Sequence, residues 1–178
     1  GAAGESIKQE FQRLDIPGHW IQTESPTRIC TTIVPGQGQT TELVENQSAL
    51  TPVDLERFQA AYAELARVAD VTILTGSVPH GTPDSLYRHL VTCTPSRVVL
   101  DARGPELLEA LAQHPFLVKP NRDELAHTLG KSLKGEQAVF AAMDRLRDQG
   151  AEWVVVTDGD RPVRVLSESG RWSLTPPS

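Results

Sequence analysis

From Val71 onward, short apolar runs alternate with segments of helical spacing, and few folds accommodate that rhythm. Residues 71–74, 98–100, 116–118 and 153–156 are continuous apolar runs, and residues 84–92, 106–113, 123–129 and 136–149 carry helical patterns between and after them. Strands without polar alternation, separated by helices, predict an α/β fold with a mostly parallel sheet covered on both faces. A crossover helix between consecutive strands makes them parallel neighbours. The carboxyl ends of the four runs, at Thr75, Asp101, Lys119 and Thr157, are therefore expected on one edge. Residues 163–166 and 171–174, around Glu168-Ser-Gly170, close the pattern as an antiparallel hairpin.

The first seventy residues read differently. Ile7, Phe11 and Leu14 fall on one helical face until Asp15-Ile-Pro-Gly18 stops the turn. Residues 19–23 read as a short strand. Residues 27–34 and 39–44 are rich in Thr, Val and Ile and flank Pro35-Gly-Gln-Gly38, which predicts a hairpin with a four-residue loop, projecting as a small sheet or lid. Thr51-Pro-Val-Asp54 starts a helix, with Thr51 as N-cap and Pro52 in the first helical position. Leu55, Phe58, Ala61, Tyr62 and Leu65 form its expected buried stripe, down to about Val68.

Composition narrows the function classes. A chain of 178 residues buries one sizeable core, so one principal domain is expected. A net charge of −6 argues against nucleic acid as the main partner, although one or two local cations suffice for a phosphorylated metabolite. Cys30 and Cys93 are isolated thiols, which fits a reducing cytoplasm better than a disulfide framework. There is no apolar run of membrane-spanning length and no signal-like segment, so no membrane partner is expected. The chain opens directly into a helical pattern and closes directly after a strand pattern, and we expect an incomplete domain.

Asn121 follows a strand, and Glu124 lies three residues later. The spacing is that of a helix capping box. It also puts an amide and a carboxylate at a strand's carboxyl end beside a positive helix terminus, where open α/β sheets bind phosphates and their metal ions. Both readings stand on the residues alone. Thr75-Gly76-Ser77 is either an ordinary turn or a loop whose glycine lets a ligand approach the backbone. Arg28 is either a solvated charge or a grip for phosphate. Glu124 and His127 form an E-x-x-H pair without a second ligand set, and the other histidines are scattered. Neither G-x-x-x-x-G-K nor G-x-G-x-x-G occurs.

Five segments stand in one order: Thr27-Arg-Ile-Cys30, Thr75-Gly-Ser77, Val98-Val-Leu-Asp101, Lys119-Pro-Asn-Arg-Asp-Glu124 and Val156-Thr-Asp-Gly159. In that order they resemble the phosphofructokinase-B (pfkB) carbohydrate kinase family, relatives of ribokinase, nearest the 1-phosphofructokinase and tagatose-6-phosphate kinase branch. The resemblance runs over the whole chain. It implies a ribokinase-like three-layer αβα sandwich, with residues 19–45 contributing lid strands, and transfer of the γ-phosphate of ATP to a hexose phosphate. It implies Arg28, Ser77 and Gly4 as sugar-phosphate contacts, Gly4 as the tail of a Gly-Gly-x-x-Gly loop. Lys119, Asn121, Thr157 and Gly159 would meet the nucleotide, and Asn121 and Glu124 would serve Mg²⁺. A homodimer through the lid is compatible with it.

Three departures stand out. Cys30 replaces an Asn, Pro162 replaces a Gly and so removes an N–H donor, and Arg103 replaces a small polar residue beside Asp101. Asp101 is assigned only a structural or supporting role. The family's Gly-Ala-Gly-Asp, whose Asp is the general base, does not occur in residues 1–178, so no catalytic residue is assigned and the chain alone is expected to be inactive. The competing reading is a non-catalytic ligand-binding or regulatory module on the same fold. A Rossmann-type transferase fits the Asn121-to-Glu124 motif less well.

Overall fold

The computed structural model describes residues 1–36, 40–45 and 48–175. They divide into two compact units, one of Gly1–Phe58 and Val78–Thr82, the other of Gln59–Ser77 and Pro83–Ser178.

The first unit opens with α1 (Ala2–Arg13). Phe11 meets the Trp20 ring edge-on, with centroids 5.0 Å apart. The indole also lies over Gly18, where a Cβ would stand 2.6 Å from a ring carbon. Residues 19–23 are consequently irregular and not the strand their composition suggested. Trp20 turns back onto α1, and the Thr23 hydroxyl donates to the Ser25 carbonyl at 2.9 Å, so local contacts replace a ladder.

The hairpin forms, with shorter arms than expected. β1 (Cys30–Ile33) pairs antiparallel with β2 (Thr41–Val44), from Cys30 opposite Val44 to Ile33 opposite Thr41. Beyond Cys30 the Ile29 carbonyl accepts from the Glu45 N–H at 3.2 Å, and the Ile29 N–H donates to the Glu45 carboxylate at 2.8 Å. That side-chain acceptor ends the pairing, and Arg28 lies just outside the strand, half-buried. The connection is longer than the four residues expected. Gln37, Gly38 and Gln39 of that expected turn and arm lie outside the described residues.

α2 (Pro52–Ala66) starts as its sequence foretold. The Thr51 hydroxyl accepts from the Asp54 N–H at 3.1 Å and donates to the Asp54 carboxylate at 2.8 Å. Its expected apolar stripe is a correction. Phe58, Leu65 and Val68 are 37%, 51% and 84% exposed, whereas Asp54 and Ala66 are the buried positions. Helical spacing records an apolar face, but which face is covered depends on neighbours that spacing does not contain.

The second unit is built on a six-stranded sheet. In chain order its elements are β3 (Val71–Thr75), α3 (Leu86–Thr92), β4 (Arg97–Asp101), α4 (Gly104–Leu111), β5 (Leu117–Val118), α5 (Arg122–Leu129), α6 (Gly135–Asp148), β6 (Trp153–Asp158), β7 (Arg161–Ser167) and β8 (Gly170–Leu174). The strands lie in the order β3-β4-β5-β6-β7-β8. The first three pairings are parallel and β7–β8 is antiparallel, as expected; β6–β7 is antiparallel too. Thr75 stands opposite Asp101, Leu100 opposite Val118, and Val118 opposite Val154.

Crossovers of one hand that step through the strands in one direction place their helices on one face. Accordingly α3 packs on α4, α4 on α5, α5 on α6, and α6 on β6 and β7. Val98, Leu100, Val118, Val154 and Val156 face these helices in register and are all but inaccessible. Alternate residues on the opposite face, Val99, Leu117, Trp153 and Val155, are half-buried, and Ile73 in the same layer is 66% exposed, so that face lacks the full cover that continuous apolar runs predict on both sides. Trp153 and Trp172 stack there, centroids 5.8 Å apart.

The two faces should answer differently to truncation. Leu100→Ala is expected to cost about 2–5 kcal/mol because it leaves a cavity. Ile73→Ala, on the open face, should cost less than about 1 kcal/mol. Urea unfolding midpoints measure both, and equal losses would contradict the one-sided core.

Candidate functional site

The strand ends build the site. The expectation that Thr75, Asp101, Lys119 and Thr157 share one edge holds, since Thr75 is in register with Asp101, and Asn121 makes a parallel bridge to Thr157. The Lys119 ammonium stands 3.1 Å from the Asp101 carboxylate, to which the Thr75 hydroxyl also donates at 3.5 Å. Asp101 thus fixes a cation at the edge, consistent with the supporting role assigned to it.

Beyond the fully buried Pro120, the chain turns into α5 through a complete capping box. Asn121 Oδ1 accepts from the Glu124 N–H at 2.8 Å, and Glu124 Oε2 accepts from the Asn121 N–H at 2.8 Å. The helix stops at Gly130, whose φ of 60° is the left-handed conformation that lets it cap. The box leaves the other Glu124 carboxylate oxygen outside the reciprocal pair, on a half-buried side chain.

Two clefts open beside this box. The larger, about 480 Å³, is lined by Arg103, Asn121, Glu124, His127, Thr157 and Gly159 among others. The smaller, about 260 Å³, is lined by Thr75, Gly76, Ser77, Asp101, Ala102, Arg103 and Glu124. Arg103 and Glu124 line both. Of the expected nucleotide residues, Asn121, Thr157 and Gly159 come together in one cleft, whereas Lys119 lines neither cleft and pairs with Asp101; Ser77 lies in the adjoining cleft. Gly4 and Arg28 belong to the first unit. There Gly4 sits in the first turn of α1, where a Cβ would stand 3.0 Å from the Thr27 hydroxyl, next to Arg28 in sequence.

Two arrangements at the site were not read from the sequence. The Arg122 guanidinium donates to Asp158 at 2.8 Å and, through Nε, to the Leu133 carbonyl at 3.1 Å, while Arg161 reaches Asp158 at 3.6 Å. This joins the start of α5, the segment before α6 and the end of β6. Tyr87 on α3 donates its hydroxyl to the Gly76 carbonyl at 2.6 Å and so pins the turn before Ser77, where Gly76 has a φ of +104°. Burial pushes the Tyr87 phenol up from its ordinary value, helped by the negative charges of Glu106 and Asp101. The signal for these pairs was only an Arg beside an N-cap and a Tyr on an apolar helix face.

Among the described residues no group of three or more His, Cys, Asp or Glu side chains is placed to hold a metal ion. Asn121 and Glu124 offer an amide and a carboxylate, which are hard oxygen donors of the class that Mg²⁺ takes alongside its waters. No helix is long and apolar enough to cross a membrane among the described residues.

The chain belongs to the pfkB family of carbohydrate kinases, whose model matches residues 1–178. It is similar to 1-phosphofructokinase of Escherichia coli (strain K12), 29% identical over 177 residues, which cover 98% of this chain and 57% of that protein. Tagatose-6-phosphate kinase of Staphylococcus epidermidis is 27% identical over 165 residues, covering 89% of this chain and 53% of the relative. Among solved structures, phosphofructokinase-2 from Escherichia coli matches with a TM-score of 0.87 at 24% identity, over 99% of this chain and 60% of that one. Ribokinase from Giardia lamblia matches with a TM-score of 0.77 at 16% identity, over 100% of this chain and 56% of its own. The chain spans little more than half the length of these relatives, and its fold is ribokinase-like.

The Tyr87 shift carries a sign. A phenol raised in the fold binds its proton more tightly there than in the unfolded chain, so its contribution is complete below pH about 10 and is lost as pH rises through the folded value. Tyr87→Phe should lower stability at neutral pH by about 1 kcal/mol and flatten the alkaline decline. Denaturant titrations at pH 7 and above pH 10 test this, and an undiminished alkaline slope would assign that decline to other groups.

Proposed function

We propose that the intact protein transfers the γ-phosphate of ATP to a hydroxyl of a hexose phosphate, in the manner of 1-phosphofructokinase or tagatose-6-phosphate kinase. The observation that carries this reading is the cleft formed by Asn121, Glu124, Thr157 and Gly159, joined at Glu124 to a second cleft that holds Ser77. Two clefts with a shared wall are what a two-substrate transfer needs, and family membership supports the chemistry. A related fold, phosphofructokinase-2 from Escherichia coli, is known in complex with fructose-6-phosphate.

In this reading the sugar hydroxyl oxygen bonds to the γ-phosphorus, and the bridging P–O bond breaks with its electron pair leaving on ADP. The hydroxyl proton passes to a base, the Asp of a Gly-Ala-Gly-Asp segment in the intact enzyme. Phosphoryl transfer depends chiefly on positioning and charge stabilisation. Thr157, Gly159, Asn121 and Lys119 hold the nucleotide. Ser77 and Gly4 position the sugar, and Arg28 grips its existing phosphate with paired hydrogen bonds. Asn121 and Glu124 would hold Mg²⁺ chiefly through its waters, and the bound ion supplies neutralisation of phosphate charge. Lid strands from residues 19–45, β1 and β2 among them, would exclude water and offer a surface for pairing two subunits; phosphofructokinase-2 from Escherichia coli has a tetrameric inhibited form. The location is the cytoplasm, where these substrates occur.

Cys30 and Pro162 favour a second reading, a ligand-binding or regulatory module that transfers nothing. ADP release by the full-length protein, assayed with ATP and a panel of hexose monophosphates, decides between the two. Sugar-dependent release supports the kinase, and its absence with every sugar favours the module.

Two substitutions assign roles. Glu124→Gln keeps the size of the side chain and most of its capping capacity, so melting should change by no more than the equivalent of about 1 kcal/mol. We expect it to need much more Mg²⁺ and to lose kcat; an unchanged requirement with normal kcat would leave Glu124 as a helix-start residue only. Arg28→Ala should raise KM for the sugar phosphate by an amount equivalent to about 2–3 kcal/mol while sparing that for ATP. Equal effects on both substrates would exclude the phosphate grip.

A further inference from the structure

We propose that Arg103 contacts the phosphoryl group in transit between the two clefts. The activity half of this inference rests on the kinase reading, and the anion-binding half does not. Arg103 and Glu124 are the residues common to the linings of both clefts, so they flank the seam that a transferred group must cross. Of the cations in those linings, Arg122 is engaged by Asp158 at 2.8 Å, and Arg103 has no ion pair or side-chain hydrogen bond among the described residues.

The backbone beneath Arg103 is held. It is the extended N-cap of α4, with φ −140° and ψ 171°, followed by a proline within the first helical positions. The next N–H, of Gly104, donates to the Thr128 hydroxyl at 2.8 Å. The side chain itself is exposed, so its charge is kept in solvent beside two carboxylates that already have other duties. Asp101 is matched by Lys119, and Glu124 accepts the Asn121 N–H. What the seam presents to a ligand is therefore an unspent guanidinium. Its planar fork fits two oxygens of one phosphoryl group, where a lysine would act only as a point charge. The terminal phosphoryl of a nucleoside triphosphate, present in ATP and absent from ADP, has the matching chemistry. In the transfer described above, no bond forms to Arg103; the guanidinium neutralises charge on the non-bridging oxygens as the bridging bond breaks.

The test uses the full-length protein as wild type, Arg103→Ala and Arg103→Lys, with calorimetric titration of ATP, ADP and inorganic tripolyphosphate at fixed Mg²⁺, alongside steady-state kinetics. Arg103→Ala should weaken ATP and tripolyphosphate by about 10-fold and leave ADP within about twofold. It should lower kcat on the order of 100-fold with little change in KM for the sugar. Arg103→Lys should restore part of the charge-dependent binding but less of kcat. A solvated surface charge would move none of these, and wild-type binding and kcat in Arg103→Ala overturn the proposal while leaving the kinase reading intact. Loss of tripolyphosphate binding in Arg103→Ala, from a wild type that releases no ADP with any sugar, upholds the anion contact and sinks the kinase reading. A wild type that binds neither ATP nor tripolyphosphate overturns both.

Discussion

Val118 ties the second unit together. It pairs with Leu100 on one side and Val154 on the other, although β5 is only two residues long. All three side chains are fully buried, so the register of the sheet is set by packing as much as by hydrogen bonds. A one-residue slip would turn an apolar layer out of the helix-covered core. Because that register is fixed, Lys119 emerges beside Asp101, and Asn121 beside Thr157. The candidate site is a consequence of where a very short strand stops.

The same economy appears in the capping box. One Glu124 oxygen and the Asn121 carbonyl oxygen satisfy backbone donors that would otherwise be orphaned at the start of α5. The remaining carboxylate oxygen takes no part in the cap. For Glu124 the capping and ligand-binding readings can use different oxygens, whereas the one side-chain oxygen of Asn121 already accepts the Glu124 N–H. The cap fixes the Glu124 carboxylate against the Asn121 N–H, and Arg122 anchors the neighbouring segments against Asp158.

Much of this was legible in the sequence, for identifiable reasons. The four apolar runs declare themselves because a parallel strand covered by helices tolerates little polarity, and their common edge follows from the crossovers. Asn121, Glu124 and Thr51 were legible because caps act within one turn. What was missed depends on pairs far apart in sequence, such as Arg122 with Asp158 and Tyr87 with Gly76, where neither residue announces its partner. The stretch at residues 19–23 misled because Trp20 has the composition of a strand residue but spends its surface on Phe11 and Gly18. The stripe of α2 misled because apolar spacing says nothing about cover.

β3 is the first strand of the six-stranded order, and its outward face carries Val71 at 50% and Ile73 at 66% exposure. Among the described residues β3 is paired on one side only, and an open ladder beside bare aliphatic side chains is a template for other strands. Its effect is colloidal as well as structural. A net charge of −6 supplies repulsion between molecules, and salt that shortens the range of that repulsion leaves the bare strand to govern encounters. For this chain in solution, ionic strength is thus a lever on self-association, acting at an edge remote in sequence from every residue of the capping box.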